Sequence, residues 1–249
     1  AIVSTTEGIK KEFSLPEPEA NRLALSITER NGVIHYTILH TPQKKLSENL
    51  YLVAHIRGFL LFIQPIEKEQ GAINLQSVPE GILTLTILDG NYLPHSERLA
   101  FVRRENNSVW KLTPDKSSYD SRSPVSLDIH LSDLSGQPIK GNFSLSVTDN
   151  YAIGCDSIGD NILSNLLLTS DLKGYIETPG YYFKNNTQRL KACLDNLMLT
   201  QGWSRFNVED LLKEQQTNPQ YFMEVGQFVS GKVLDIRNKP LAGKHVNVF

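Results

Sequence analysis

Apolar and polar residues alternate through most of the first hundred positions. Leu23, Leu25 and Ile27 are separated by polar or small neighbours, as are Ile34, Tyr36 and Ile38. The same period of two runs through Leu50, Leu52, Ala54 and Ile56, then Phe59, Leu61 and Ile63, and on to Ile73 and Leu75. It continues in Leu83, Leu85 and Ile87 and closes with Leu99 and Phe101. One-sided alternation of this kind is the pattern of half-buried antiparallel strands. Turn residues break it at Asn31-Gly32, Gly58, Gly71, Pro79-Glu80-Gly81 and Asp89-Gly90-Asn91. The pattern predicts about seven short strands between Asn21 and Arg104, a count that suggests a β-sandwich.

A second β-region begins near Val109. Val125, Leu127, Ile129 and Leu131 alternate with Ser126, Asp128, His130 and Ser132, and after a turn at Ser135-Gly136-Gln137-Pro138 the series resumes in Phe143, Leu145 and Val147. The expected core of this region is Leu127, Ile129, Phe143, Leu145 and Val147, with Asp128, His130 and Ser144 outward. The period changes after about Ile158. Asp160 is a candidate cap for a helix carrying Ile162, Leu163, Leu166 and Leu167. Thr187 can cap a second, whose Leu190, Cys193, Leu194, Leu197 and Met198 form an apolar stripe. Asn207 can cap a short third helix through Leu211 and Leu212, and Pro219 breaks the run that follows. Alternation returns from Val225. The reading is mainly β: tandem antiparallel β-sandwiches with a small α-helical insert. Residues 1–105 form a first sandwich, 106–222 a second β-domain with the insert at about 159–217, and 223–249 the start of a further β-module. The pattern breaks off at Lys244–Phe249, so the chain is read as part of a longer protein.

Lys+Arg number 25 and Asp+Glu 27, a net charge of −2, which argues against a general binder of nucleic acid or anionic membrane. The most apolar stretch, Leu50 to Ile63, is interrupted by His55, Arg57 and Gly58 and falls short of the roughly 20 apolar residues of a spanning helix. Two cysteines, Cys155 and Cys193, exclude a disulfide scaffold. They can pair in an oxidising compartment, or Cys193 can serve as a small hydrophobe on its helix stripe. The six histidines show no zinc-ligand spacing; His35, His55 and His130 alternate against apolar residues, which places them on solvent faces. No Gly-x-Ser-x-Gly elbow or phosphate-binding loop is present. No catalytic residue, cofactor site or metal site is assigned. Tyr175, Tyr181, Tyr182 and Trp203 concentrate aromatic surface in the helical segment, either as an exposed platform for sugar or peptide or as packing onto the sheet.

Several stretches carry a resemblance. Val78-Pro79-Glu80-Gly81 through Asp89, with Glu97-Arg98-Leu99-Ala100-Phe101-Val102, resembles the closing strands of a macroglobulin-like domain of the alpha-2-macroglobulin family. Lys116-Ser117-Ser118-Tyr119, Val125-Ser126-Leu127, Gly136-Gln137-Pro138-Ile139 and Phe143-Ser144-Leu145-Ser146-Val147-Thr148-Asp149 look like the start of another such module. The segment Asn161 to Glu177, with Pro179-Gly180-Tyr181-Tyr182-Phe183 and Leu194 to Phe206, is similar to large envelope proteins of Bacteroidetes. In those proteins it lies between a macroglobulin-like region and a carboxypeptidase regulatory-like module, and many continue into a plug of the TonB-dependent receptor type. Gly231-Lys232-Val233-Leu234-Asp235 and Lys239-Pro240-Leu241-Ala242-Gly243 look like the opening of such a regulatory-like module. The family's thioester needs Cys-x-x-Gln, and neither Cys155-Asp156-Ser157-Ile158 nor Cys193-Leu194-Asp195-Asn196 supplies the glutamine. Asp156-Ser157-Ile158 matches a short O-glycosylation pattern of such envelope proteins.

The resemblance implies a non-enzymatic structural or interaction module of a larger cell-envelope protein, periplasmic or outer-membrane associated and linked to a TonB-dependent component. Its implied partner is a protein of the envelope. The alternative is a carbohydrate- or peptide-binding module for nutrient capture.

Overall fold

The computed structural model describes residues 2–17, 19, 22–41, 49–104, 108–142, 145, 147–148, 154, 156, 158–201, 205–206, 208–212, 232–235 and 237–240. The chain divides into two compact units, residues 1–214 and 215–249. Among the described residues the fold is mainly β, with four antiparallel sheets and three short α-helices.

The seven strands expected between Asn21 and Arg104 are present: β3 (Leu23–Arg30), β4 (Val33–His40), β5 (Tyr51–Ile56), β6 (Phe59–Pro65), β7 (Gln70–Asn74), β8 (Gly81–Leu88) and β9 (Pro94–Val102). A hairpin, β1 (Ile2–Ser4) with β2 (Lys10–Glu12), precedes them. Strands β3-β4-β7 form one sheet and β6-β5-β8-β9 another. Leu25, Ile34 and Ile38 of the first sheet share one apolar cluster with Leu52, Leu85 and Ile87 of the second. Two hairpins close through two-residue turns with both residues at positive φ. These are Asn31 (52°) with Gly32 (76°), and Arg57 (49°) with Gly58 (78°), the geometry that matches strand twist.

A second turn type occurs three times. Asp89, Asp133 and Asp235 each begin a six-residue loop that ends at a proline, Pro94, Pro138 and Pro240. Each Asp takes N–H bonds from the residues two and four positions on: Asn91 and Leu93, Ser135 and Gln137, Arg237 and Lys239. Each Asp N–H donates to the carbonyl four residues on, and the fourth loop residue has positive φ: Tyr92 at 62°, Gly136 at 86°, Asn238 at 62°. The residue before each Asp pairs with the proline. A carboxylate that satisfies two loop donors explains the fixed Asp, because Asx side chains mimic a backbone turn. Proline has no N–H to contribute at the closing position, and it needs none there. Asp133→Ala should therefore speed amide exchange at Gln137 about tenfold, while Asp133→Asn, which keeps an acceptor, should leave it nearly unchanged.

The second β-region departs from expectation. Strands β10 (Ser108–Pro114) and β11 (Leu127–Asp133) pair over seven residues as a two-stranded ribbon. Leu127 is 37% exposed, Leu145 54% and Val147 80%, and Ile129 is only half-buried, so the expected core is not buried. Among the described residues no second sheet covers the ribbon, and two strands alone cannot bury a face. Asp128 and His130 are exposed as anticipated; Phe143 and Ser144 lie outside the described residues.

Candidate functional site

The face of the four-stranded sheet turned away from the shared core carries the helical layer. Helix α1 (Ile162–Ser164) is capped by Asn161, whose Oδ1 accepts from Leu163 N at 3.0 Å and Ser164 N at 3.1 Å. Asp160, the expected cap, instead accepts from the Ser164 hydroxyl. The helix runs at once into a π-turn at Asn165–Thr169, closed by Ser170 N to Asn165 O at 3.1 Å. That wider turn shifts the phase. Ser164, Leu168 and Leu172 point inward, while Ile162, Leu163 and Leu166 are exposed, against the stripe expected from sequence. Helix α2 (Gln188–Thr200) follows its prediction: Thr187 Oγ1 accepts from Leu190 N at 3.4 Å, and Leu190, Leu194 and Met198 are buried. Cys193 on the same helix is a half-buried free thiol; Cys155 lies outside the described residues.

These elements cover the sheet in two apolar patches. Ile82 and Leu99 meet Leu168, Leu172, Leu194 and Met198. Val53 and Leu88 meet Val208 of α3 (Val208–Leu212). On the same sheet face is a polar strip: His55 stands opposite Thr84, and Thr86 opposite Glu97. His55 and Thr86 are 0% exposed and Thr84 is 2%. The sequence assigned His55 to a solvent face; the helical layer buries it. Neither ring nitrogen has a partner among the described residues, and burial lowers its pKa from 6.5 to about 4, so the imidazole is neutral at pH 7.

Nearby in sequence, Arg57 Nε donates to Asp171 Oδ2 at 3.3 Å, tying the β5–β6 turn to the helical layer. Burial pushes the Asp171 carboxyl above the usual carboxylate range, and the Arg57 and Arg205 guanidiniums offset part of that. Arg57 Nη2 is buried without a partner among the described residues. Asp171 is closed off from solvent, whereas the Arg57 side chain stays one-third exposed. No group of three or more His, Cys, Asp or Glu suited to a metal occurs among the described residues.

The aromatic residues singled out from sequence separate. Tyr181 and Tyr182 are half-buried in a 3₁₀ turn (Pro179–Phe183), their rings edge-to-face at 5.6 Å. Tyr182 packs against the patch around Ile82 and Leu99, while Tyr175 is 84% exposed and makes no ring contact with the pair. Trp203 lies outside the described residues. Arg103 fixes the turn by donating to the Tyr182, Phe183 and Asn185 carbonyls.

Sequence reading did not find the open groove beside this turn, about 990 Å³ in volume. It is bounded by the β3–β4 turn, the residues after β7, the end of β9, and α2. Its signal in the sequence is a scatter of Asn and Gln at positions 31, 74, 76, 185, 186 and 188, which only the fold brings together.

No protein-family model matches the chain, and no curated protein matches it. No helix among the described residues is long and apolar enough to cross a membrane.

Proposed function

We propose that this chain is a non-enzymatic structural and interaction segment of a larger cell-envelope protein, built from tandem sandwiches of macroglobulin type. On this reading it acts at the periplasmic or outer-membrane side, associated with a TonB-dependent component. The observation that carries the interaction role is the β10–β11 ribbon. Leu112 and Leu127, on one face of the ribbon with Ile129, are exposed by 52% and 37%, although the ribbon's alternation is that of a buried face. Contiguous exposed apolar surface of this kind marks a contact site. The modular architecture is supported by the Asp-to-Pro turn, which recurs in three β-regions.

The test is site-specific photo-cross-linking in the native cell. A photoreactive residue at Leu112 should give a discrete adduct with an envelope protein, and the same residue at Lys173 should not. Leu112→Asp should abolish that association and leave the melting temperature within about 1 °C, as for other exposed positions. Recovery of the protein in the cytosolic fraction alone, or no adduct above the Lys173 control, would overturn the reading.

A further inference from the structure

We infer that the groove between the β3–β4 turn and α2 binds an uncharged, hydroxyl-rich ligand of the oligosaccharide class. Its volume of about 990 Å³ is at the upper end of ligand clefts, roughly 300–1,000 Å³. The charged groups that line it are already engaged within the protein. Glu29 accepts from Gly32 N at 2.9 Å and lies 3.6 Å from Lys191 Nζ. Asp195 accepts from Arg98 at 2.7 Å. Arg103 is held by the carbonyls of the 3₁₀ turn, and Arg104 Nη2 donates to the Gln76 and Val78 carbonyls. A charged ligand would have to break these pairs to gain its own.

The side chains left with capacity are carboxamides. Asn31 and Gln76 lie on one side, Asn186 and Gln188 on the other; all four are exposed, and none of these carboxamides makes a hydrogen bond among the described residues. A carboxamide presents two donors and an acceptor in one plane, which suits neighbouring hydroxyls on a sugar ring. Tyr182 adds an aromatic body with a polar tip. An extended peptide would instead need open apolar pockets for its anchors. Of the apolar lining residues, Ile34, Leu75 and Leu194 are buried in their own clusters, at 1%, 8% and 7% exposure, while Ile27, Val33 and Phe101 are half-buried. The groove shares no residue with the β10–β11 ribbon, so the inference stands independently of the proposed function.

The test is an NMR titration of the purified chain with neutral gluco-, manno- and galacto-oligosaccharides, alongside an acidic galacturonate oligosaccharide and a mixed-sequence peptide. With at least one neutral sugar, the side-chain NH₂ signals of Gln76, Asn186 and Gln188 should move. Asn186→Ala/Gln188→Ala should weaken that binding roughly tenfold or more without shifting the melting temperature. Gln76→Ala on the opposite wall should weaken it as well, and Asn196→Ala, elsewhere on α2, should not. The inference is overturned by silence with every neutral sugar, by response to the galacturonate or the peptide alone, or by unchanged affinity in both groove variants.

Discussion

Acidification from pH 7 to pH 4 should remove about 3 kcal/mol of stability, and His55→Leu should abolish that loss. The imidazole is 0% exposed, and its pKa falls from 6.5 to about 4 through burial. The unfolded chain therefore binds a proton between those values that the folded chain does not. Stability is complete above about 6.5 and declines as the pH drops towards 4. The other shifted groups among the described residues lie mostly outside this window or act in the opposite sense. Asp89, Asp115, Asp133 and Asp160 are held below the usual 3.8 by hydrogen bonds, so their contribution begins to be lost just above that value and goes mainly below it. Asp171 is raised, so its protonation favours the folded state as the pH falls. At pH 7 the leucine variant should be at least as stable as the parent, because two buried nitrogens without partners disappear. Urea melts at pH 7, 5.5 and 4 decide the matter: equal pH slopes for parent and variant would show that His55 is not the sensor.

Between Asn21 and Arg104 the alternation of residues made the strands legible, their number and faces included, but not which faces are covered. In β8, Leu83, Leu85 and Ile87 face the shared core as their period predicts. Thr84 and Thr86 on the other side are polar and yet buried, because helices from residues 162–212 lie over that face. His55 was misplaced for the same reason. The ribbon failed in the opposite direction: Leu127 and Leu145 mark a face, and nothing among the described residues covers it. Covering depends on contacts between residues far apart in the chain, such as Arg57 with Asp171, 114 positions on, and local periodicity carries no record of them. The turns are the converse. Asp89-Gly90-Asn91 and Ser135-Gly136-Gln137-Pro138 were each readable as breaks, but their common rule, an Asp five residues before a Pro with a left-handed fourth position, emerges only from the hydrogen bonds.

Leu168→Ala should lower the melting temperature by roughly 5–15 °C, whereas Leu145→Ala should leave it nearly unchanged. From sequence alone the ranking is reversed, since Leu145 sits in the clearest alternation of the second β-region and Leu168 lies outside the expected stripe of the first helix. The structure inverts it. Leu168 is 0% exposed, carried inward by the π-turn, and packs with Ile82, Leu99, Leu172 and Met198 where the helical layer seals the sheet. Truncating it removes buried carbons and leaves a void among rigid neighbours, a loss of about 2–5 kcal/mol for a large-to-small change in a core. Leu145 is 54% exposed, so its truncation returns little surface to water and opens no cavity. The same contrast separates two accounts of the helical layer. If it is an integral part of the first β-region, Leu168→Ala melts the protein in one cooperative step at lower temperature. If it is a loosely docked insert, the variant releases the layer first, and far-ultraviolet dichroism shows a separate early helical transition while the β signal melts where the parent does. A Leu145→Ala penalty matching that of Leu168→Ala would show instead that the ribbon has a covered face.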